Sequence, residues 1–371
     1  MAAALVVFLA LLLLPSCATH TQSNTAVSPS QLPAEITLAP EAGRGGHLMV
    51  TLCLENGEEL SVILDTGAPG TVLDKSLEPK LGWRHGTMPV KLAGQASQRC
   101  GIYKTPKLYL GGVPLVTGPT IAAYNFKRHP MGVLGMDCLK HYCIQLDFQA
   151  GKLRFLNSET INTTDLGQAF SLAFAGNYPC LNQSNLTGEE PKSLLVDVGC
   201  NVDGLVDRGT NHLAGVYLPE CNWASYDYTN LTVAAVDHCN AIGLRFLARH
   251  LVTFDFPRKT LYLKQASVGP LDQDAQQDSA ASPRRSALKL LSLLKTSHQL
   301  PGWTKGDKEK IYFDETTSPD GKMVTFTFWA RGDFDRHHYQ VNRLSQSEVW
   351  KLNRAWRTDQ SGQQLEEYAV P

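Results

Sequence analysis

The stretch Val62-Ile63-Leu64-Asp65-Thr66-Gly67-Ala68-Pro69-Gly70-Thr71-Val72-Leu73 carries an acid between two aliphatic runs. The run before Asp65 reads as a buried strand, and Asp-Thr-Gly reads as the tight turn that ends it. A carboxyl placed there is held still and partly dehydrated, and dehydration disfavours its charged form. One such loop is half a site for chemistry that needs two carboxylates. The rest of the chain is therefore searched for a second one.

An internal repeat supplies it. Val133-Leu134-Gly135-Met136-Asp137-Cys138-Leu139 leads into Ile144 to Phe155, which reads as two short strands joined by a turn at Gln149 to Lys152. The segment from Ile242-Gly243 through Asp255-Phe256 to Leu263 aligns on it without a gap. At one constant offset Gly135 matches Gly243, Leu139 matches Leu247, Asp147-Phe148 matches Asp255-Phe256 and Leu153 matches Leu261. Upstream, Leu194-Leu195-Val196-Asp197-Val198-Gly199-Cys200 is another aliphatic run into Asp-x-Gly, which makes Asp197 the counterpart of Asp65. The second copy is shorter between acid and glycine (Asp197 to Gly243, against Asp65 to Gly135). The shortfall is assigned to Leu92–Leu110, read as a flap-like hairpin. The second loop also departs from the first, with Val198 where the first has Thr66 and Asp203 in place of Thr71. The plainer reading of either acid is a turn residue in a β scaffold, since Asp and Gly favour turns for backbone reasons.

Asp65-Thr66-Gly67-Ala68 with Thr71-Val72-Leu73, followed by Leu134-Gly135, resembles the active-site loop and backing segment of the aspartic proteases, in particular retropepsin-like half-domains. The resemblance covers roughly residues 45–265. It implies a mainly β fold: two β-barrel half-domains in one chain, forming a pseudo-two-fold bilobal unit that is monomeric because its pseudo-dimer is intramolecular. It implies that Asp65 and Asp197 form the catalytic pair, supported by Thr66, Gly67, Ala68, Thr71, Val198 and Gly199. Leu134, Gly135, Ile242 and Gly243 would pack behind the loops. A flap around Gly94, Gln95, Ala96 and Ser97 would close over a peptide in extended form. In the family the hydroxyl after each Asp reaches across to the opposite loop; Thr66 has one and Val198 does not. The activity implied is that of an exported aspartic endopeptidase, favoured by acid, with no cofactor and no metal. The chemistry is coherent on its own terms. Hydrolysis needs a base for the water and an acid for the carbonyl oxygen or leaving amine, and two adjacent carboxyls sharing one proton supply both. Two alternatives remain: a catalytically impaired fold that binds peptides or an envelope partner, and a homodimeric peptidase that uses only the first repeat.

The remaining features bound these readings. The chain has 371 residues, a hydrophobic fraction of 43% and a net charge of −1. That supports a globular core of two or three domains and gives no reason to expect a nucleic-acid partner. Histidines are scattered, and no cysteine spacing suggests zinc. Residues 1–17 read as a signal segment with a lipobox-like Leu14-Pro15-Ser16-Cys17, which makes Cys17 a lipidation candidate; a simple cut near Ala18 is the competitor. Either places the protein outside the cytoplasm, in the cell envelope or secreted. Residues 18–45 read as a flexible tether, 46–160 as the first half-domain and 165–265 as the second, degenerate one. Eight further cysteines permit up to four disulfides in an oxidising compartment, with Cys200 a candidate for a bridge that locks the second loop. Residues 266–300 read as a linker with a short amphipathic helix (Leu288 to Leu294), and 301–371 as a small α+β module. In that module a hairpin turns at Ser318-Pro319-Asp320-Gly321. A helix is expected to start at a capping box of Ser345 and Glu348, with Val349, Leu352 and Trp356 on one face.

Overall fold

The computed structural model describes residues 32–92, 97–127, 130–191, 193–207, 215–271, 311–320, 322–330, 335–343 and 350–370. The signal segment with Cys17, the flap residues Gly94, Gln95 and Ala96, the Leu288–Leu294 helix and the Ser345–Glu348 capping box lie outside them.

The fold is mainly β, with sheets of six, nine and twelve strands. Among the described residues the α-helices are two single turns, Met136–Leu139 and Leu244–Leu247. In the nine-stranded sheet, Glu59–Leu64 leads to the first acid. Alternation along it sends Val62 and Leu64 into the main core and Ile63 into a separate apolar cluster on the opposite face. Gly132–Leu134 lies parallel to Glu59–Leu64 and antiparallel to Val72–Asp74, so the later strand is inserted between the two flanks of the loop. In the twelve-stranded sheet, Ala241–Gly243 lies likewise between Leu194–Asp197 (parallel) and Gly204–Asp207 (antiparallel). The glycines that end the two inserted strands' aliphatic pairs sit against loop backbone: a Cβ on Gly135 would collide with Gly70, and one on Gly243 with Val202. Close approach of two backbones, which only glycine permits, is what these positions require.

The register refines the repeat. Val72 stands opposite Val133, and Leu205 opposite Ala241. Val133 and Ala241 are counterparts, so Leu205, not Gly204, is the counterpart of Val72. The second loop is thus one residue longer than the first. Asp74 and Asp207 fall into register on this alignment, and each caps the chain beyond the neighbouring strand: Phe126 N–H donates to Asp74 Oδ2 and His238 N–H to Asp207 Oδ1, both at 2.9 Å.

The six-stranded sheet joins the copies. Cys143–Asp147 runs antiparallel to His250–Asp255, with Gln145 opposite Thr253. Gln145 Nε2 donates to Thr253 Oγ1 at 3.1 Å, and these two residues are themselves counterparts, at the offset that relates Gly135 to Gly243. The hairpin partners Lys152–Leu156 and Thr260–Gln265 flank this pair, and Ile36–Thr37 and Gln168–Ser171 form the two edges.

Several expectations are corrected. The tether does not extend to residue 45: Ile36–Thr37 is an edge strand, and Leu38 and Ala42 are buried. Two apolar residues anchored by a strand edge outweigh the Pro- and Ala-rich composition. The missing length of the second copy extends beyond Leu92–Leu110. Among the described residues of 165–265 there is no counterpart of Arg84–Val90, the outer strand of the first hairpin, or of the short pair at Leu108–Leu110 and Val113–Pro114, and Gly215–Trp223 and Tyr226–Val236 pair directly. The C-terminal module is not α+β among its described residues. It is a meander of Ile311–Thr317, Met323–Ala330, Arg336–Arg343, Trp350–Thr358 and Gln364–Tyr368, and it continues the twelve-stranded sheet through pairing with Gly215–Tyr217. The hairpin at Ser318 forms as expected; the expected helix does not, and Leu352 and Trp356 lie on a strand. Trp350–Thr358 finds hydrogen-bonding strands on both sides, and that tertiary pairing overrides a helical spacing of apolar residues. None of the eight described cysteines is in a disulfide, so among the described residues no bridge locks the second loop.

Candidate active site

Asp65 and Asp197 meet. Each is 0% exposed, and the two carboxyls lie close enough for each to shift the other's pKa. The glycine of each loop backs onto the other loop's acid: a Cβ on Gly67 would strike the Asp197 carboxyl, and one on Gly199 the Asp65 carboxyl. The inner oxygens are satisfied by their own loops. Gly67 N–H donates to Asp65 Oδ1 at 2.7 Å; Gly199 N–H and Cys200 N–H donate to Asp197 Oδ1 at 2.8 and 3.1 Å. Neither Oδ2 receives a bond from an N–H or hydroxyl. A proton held between the two carboxyls would serve both of these oxygens.

The electrostatics tie the two acids together. Burial pushes Asp65 well above the usual carboxylate range, and the neighbouring Asp197 charge pushes it further. Burial also raises Asp197, to about 6, while hydrogen bonds from Asp65 and from the N–H groups of Gly199, Cys200 and Gly67 hold it down. Burial raises both carboxyls, and like charges in one dry site cannot both persist, so the pair favours a singly protonated state.

Thr66 ties the loops from one side. Its Oγ1 donates to Val196 C=O at 2.6 Å and accepts from Val198 N–H at 3.0 Å. The Val198 side chain is buried in the main core and returns nothing. A second tie was not visible beforehand. Asn201 Nδ2 donates to Gly45 C=O at 3.2 Å, and Asn177 Nδ2 donates to Pro69 C=O at 2.9 Å. Gly45 stands to Asn177, and Pro69 to Asn201, as Asp65 stands to Asp197, so these bonds are the same contact made in both directions. The offset between the acids was the only signal that could have found them. His47 is half-buried, and burial lowers its pKa, an effect opposed by the Gly199 backbone.

Behind the loops the two copies use different chemistry at matching places. Thr71 Oγ1 donates to Asp137 Oδ1 at 2.7 Å and accepts from Gly135 N–H at 3.2 Å. In the second copy Arg245, the counterpart of Asp137, pairs with Asp203. Arg249 Nη2 takes the other oxygen of Asp203 at 2.8 Å, and Thr232 N–H donates at 2.7 Å. The change from Thr71 to Asp203 is therefore compensated: a hydroxyl–carboxylate pair becomes a carboxylate–guanidinium cluster. Leu134 and Ile242 are buried in the main core behind their loops, and Ala68 lies in the apolar cluster beside Asp65. Ser97 is exposed at the start of the return strand of the first hairpin, Arg84–Val90 with Gln98–Lys104.

Among the described residues no group of three or more His, Cys, Asp or Glu side chains is placed to hold a metal ion. Neither the family models nor the curated proteins compared with the chain match it.

Proposed function

We propose that the protein is an aspartic endopeptidase of retropepsin-like architecture, with both half-domains in one chain. The observation that carries this reading is the meeting of Asp65 and Asp197, both buried, across two copies of the same strand crossing. The registers support an approximate two-fold relation between the halves: the self-matching Gln145–Thr253 bond, the reciprocal asparagine contacts and the repeated strand order.

The proposed reaction needs nothing beyond the dyad and water. Asp197 carboxylate takes a proton from a water molecule, whose oxygen bonds to the peptide carbonyl carbon. Asp65 gives its proton to the carbonyl oxygen, leaving a neutral gem-diol. Asp197 then protonates the amide nitrogen, Asp65 takes a proton back from one hydroxyl, and the C–N bond breaks. Both carboxyls are closed off from solvent in this conformation, so peptide reaches them only after the elements covering them part. A singly protonated pair is required, and burial raises both carboxyls above the ordinary carboxylate range, which extends that state upward in pH.

The test is cleavage of a mixed peptide library from pH 4 to 8, read by mass spectrometry, for wild type and for Asp65→Asn and Asp197→Asn. Loss of all cleavage in both variants supports the reading. Activity retained by Asp197→Asn would assign catalysis to a dimer of first copies, and peptide binding without turnover at any pH would leave a binding fold.

A further inference from the structure

The two larger sheets match strand for strand beyond the acids, and the match passes into the C-terminal module. In the first half, Val72 stands beside Ala122, Ala122 beside Ile102, and Ile102 beside Gly86. In the second, Leu205 stands beside Ala234, Ala234 beside Gly215, and Gly215 beside Phe313. Both ladders run parallel, antiparallel, antiparallel, and both start from counterpart residues. Strand Ile311–Thr317 therefore occupies the position that Arg84–Val90, the outer strand of the first hairpin, holds in the first half.

The levels agree as well. Val90 is four residues beyond Gly86 and makes the last pair before the tip, with Gln98. Thr317 is four residues beyond Phe313 and makes the last pair before its own turn, with Val324. The C-terminal hairpin thus turns back at the level where the first hairpin enters its tip. Among its described residues the second half has no strand of its own for this place. Its connection from Gly204–Asp207 to Gly215–Trp223 is far shorter than the one from Val72–Asp74 to Gln98–Lys104, which contains the whole of Arg84–Val90. The contact is built in. Phe313 and Ile311 share a core with Tyr217, and a Cβ on Gly215 would meet the Phe313 ring at 2.9 Å.

We propose that the C-terminal module is part of the peptide-binding site, its strand Ile311–Thr317, held in the hairpin Ile311–Ala330, serving the second half as Arg84–Val90 serves the first. An extended peptide over the dyad is then held by a strand arm from each side, through backbone pairing of the kind used in strand addition. This rests on the reading of Asp65 and Asp197 as a peptide site. It gives the last third of the chain a role in binding substrate and explains how a shortened second half retains two arms.

Hydrogen exchange read by mass spectrometry tests it on the full-length Asp65→Asn protein, with and without saturating oxidised insulin B chain. The expected result is slowed exchange in both 84–104 and 311–330. Slowing in 84–104 alone overturns the role of the C-terminal hairpin and leaves the dyad reading intact. Slowing in neither overturns both. A wild-type variant with residues 317–324 replaced by Asn-Gly gives a kinetic readout: KM should rise roughly tenfold or more, with kcat less affected, for the loss of one or two backbone hydrogen bonds to substrate. An unchanged KM in a variant that keeps the parent's thermal midpoint overturns the proposal.

Discussion

Replacing Thr66 by Val removes one oxygen and keeps the side chain's shape. That oxygen donates to Val196 C=O at 2.6 Å and accepts from Val198 N–H at 3.0 Å. Both partners are fully buried, so the change strips two backbone groups of a bond where water does not reach them. A buried polar group left unpaired costs about 1–3 kcal/mol, so with two such groups Thr66→Val should destabilise the fold by about 2–6 kcal/mol. The lost bonds span the two loops, so the acids also lose registration and peptide cleavage should fall by more than tenfold. Urea unfolding gives the first quantity and kcat/KM the second. The reciprocal change, Val198→Thr, offers the first loop the hydroxyl it lacks and should recover part of the loss in the double variant. A Thr66→Val protein within about 0.5 kcal/mol of the parent, a value usual for inconsequential surface changes, would refute the idea that this hydroxyl holds the halves together.

Other consequences follow from the same geometry. The pH–rate profile should fall on the acid side with a midpoint near the value of about 6 for Asp197; a profile still rising below pH 5 would contradict the assignment of charge. Stability carries the opposite sign. Asp197 binds its proton more tightly folded than unfolded, so its stabilising contribution is fully present below its ordinary value of 3.8 and is lost as pH rises to about 6. The loss is of order 3 kcal/mol at about 1.4 kcal/mol per unit. Asp197→Asn should remove that decline, so that the variant gains on wild type between pH 4 and 7 in thermal unfolding; parallel curves would count against a raised carboxyl. Asp203→Asn leaves Arg245 and the fully buried Arg249 facing a neutral amide, and breaking a buried ion pair in this way typically costs about 3–5 kcal/mol. A midpoint unchanged in urea would show the cluster to be dispensable.

Much of this was legible in the sequence because it is written locally. The aliphatic run into Asp65, the small residues of the loop and the repeat of Gly135 at Gly243 each report a strand, a turn or a close backbone contact. What stayed hidden depends on partners far along the chain. The Asn177 and Asn201 bonds look like ordinary loop asparagines until the halves are brought together. Asp203 reads as a defect in a motif until Arg245 and Arg249 are seen around it. Trp350–Thr358 has apolar residues at a helical spacing, and only the strands on either side decide for β. The C-terminal strand that completes the second half, Ile311–Thr317, is far along the chain from Gly215, and no local pattern encodes that pairing.

The central claim is that Asp65 and Asp197 hold one proton between them. It is tested most directly by titrating both carboxyls by 13C NMR in protein labelled at the aspartate Cγ, assigned with Asp65→Asn and Asp197→Asn. The expected result is two coupled steps, with Asp65 still protonated above pH 6 and its pKa falling when Asp197 is made neutral. Two independent titrations near pH 4, the ordinary range of about 3.9 for aspartate, with neither moved by substitution of the other, would contradict it.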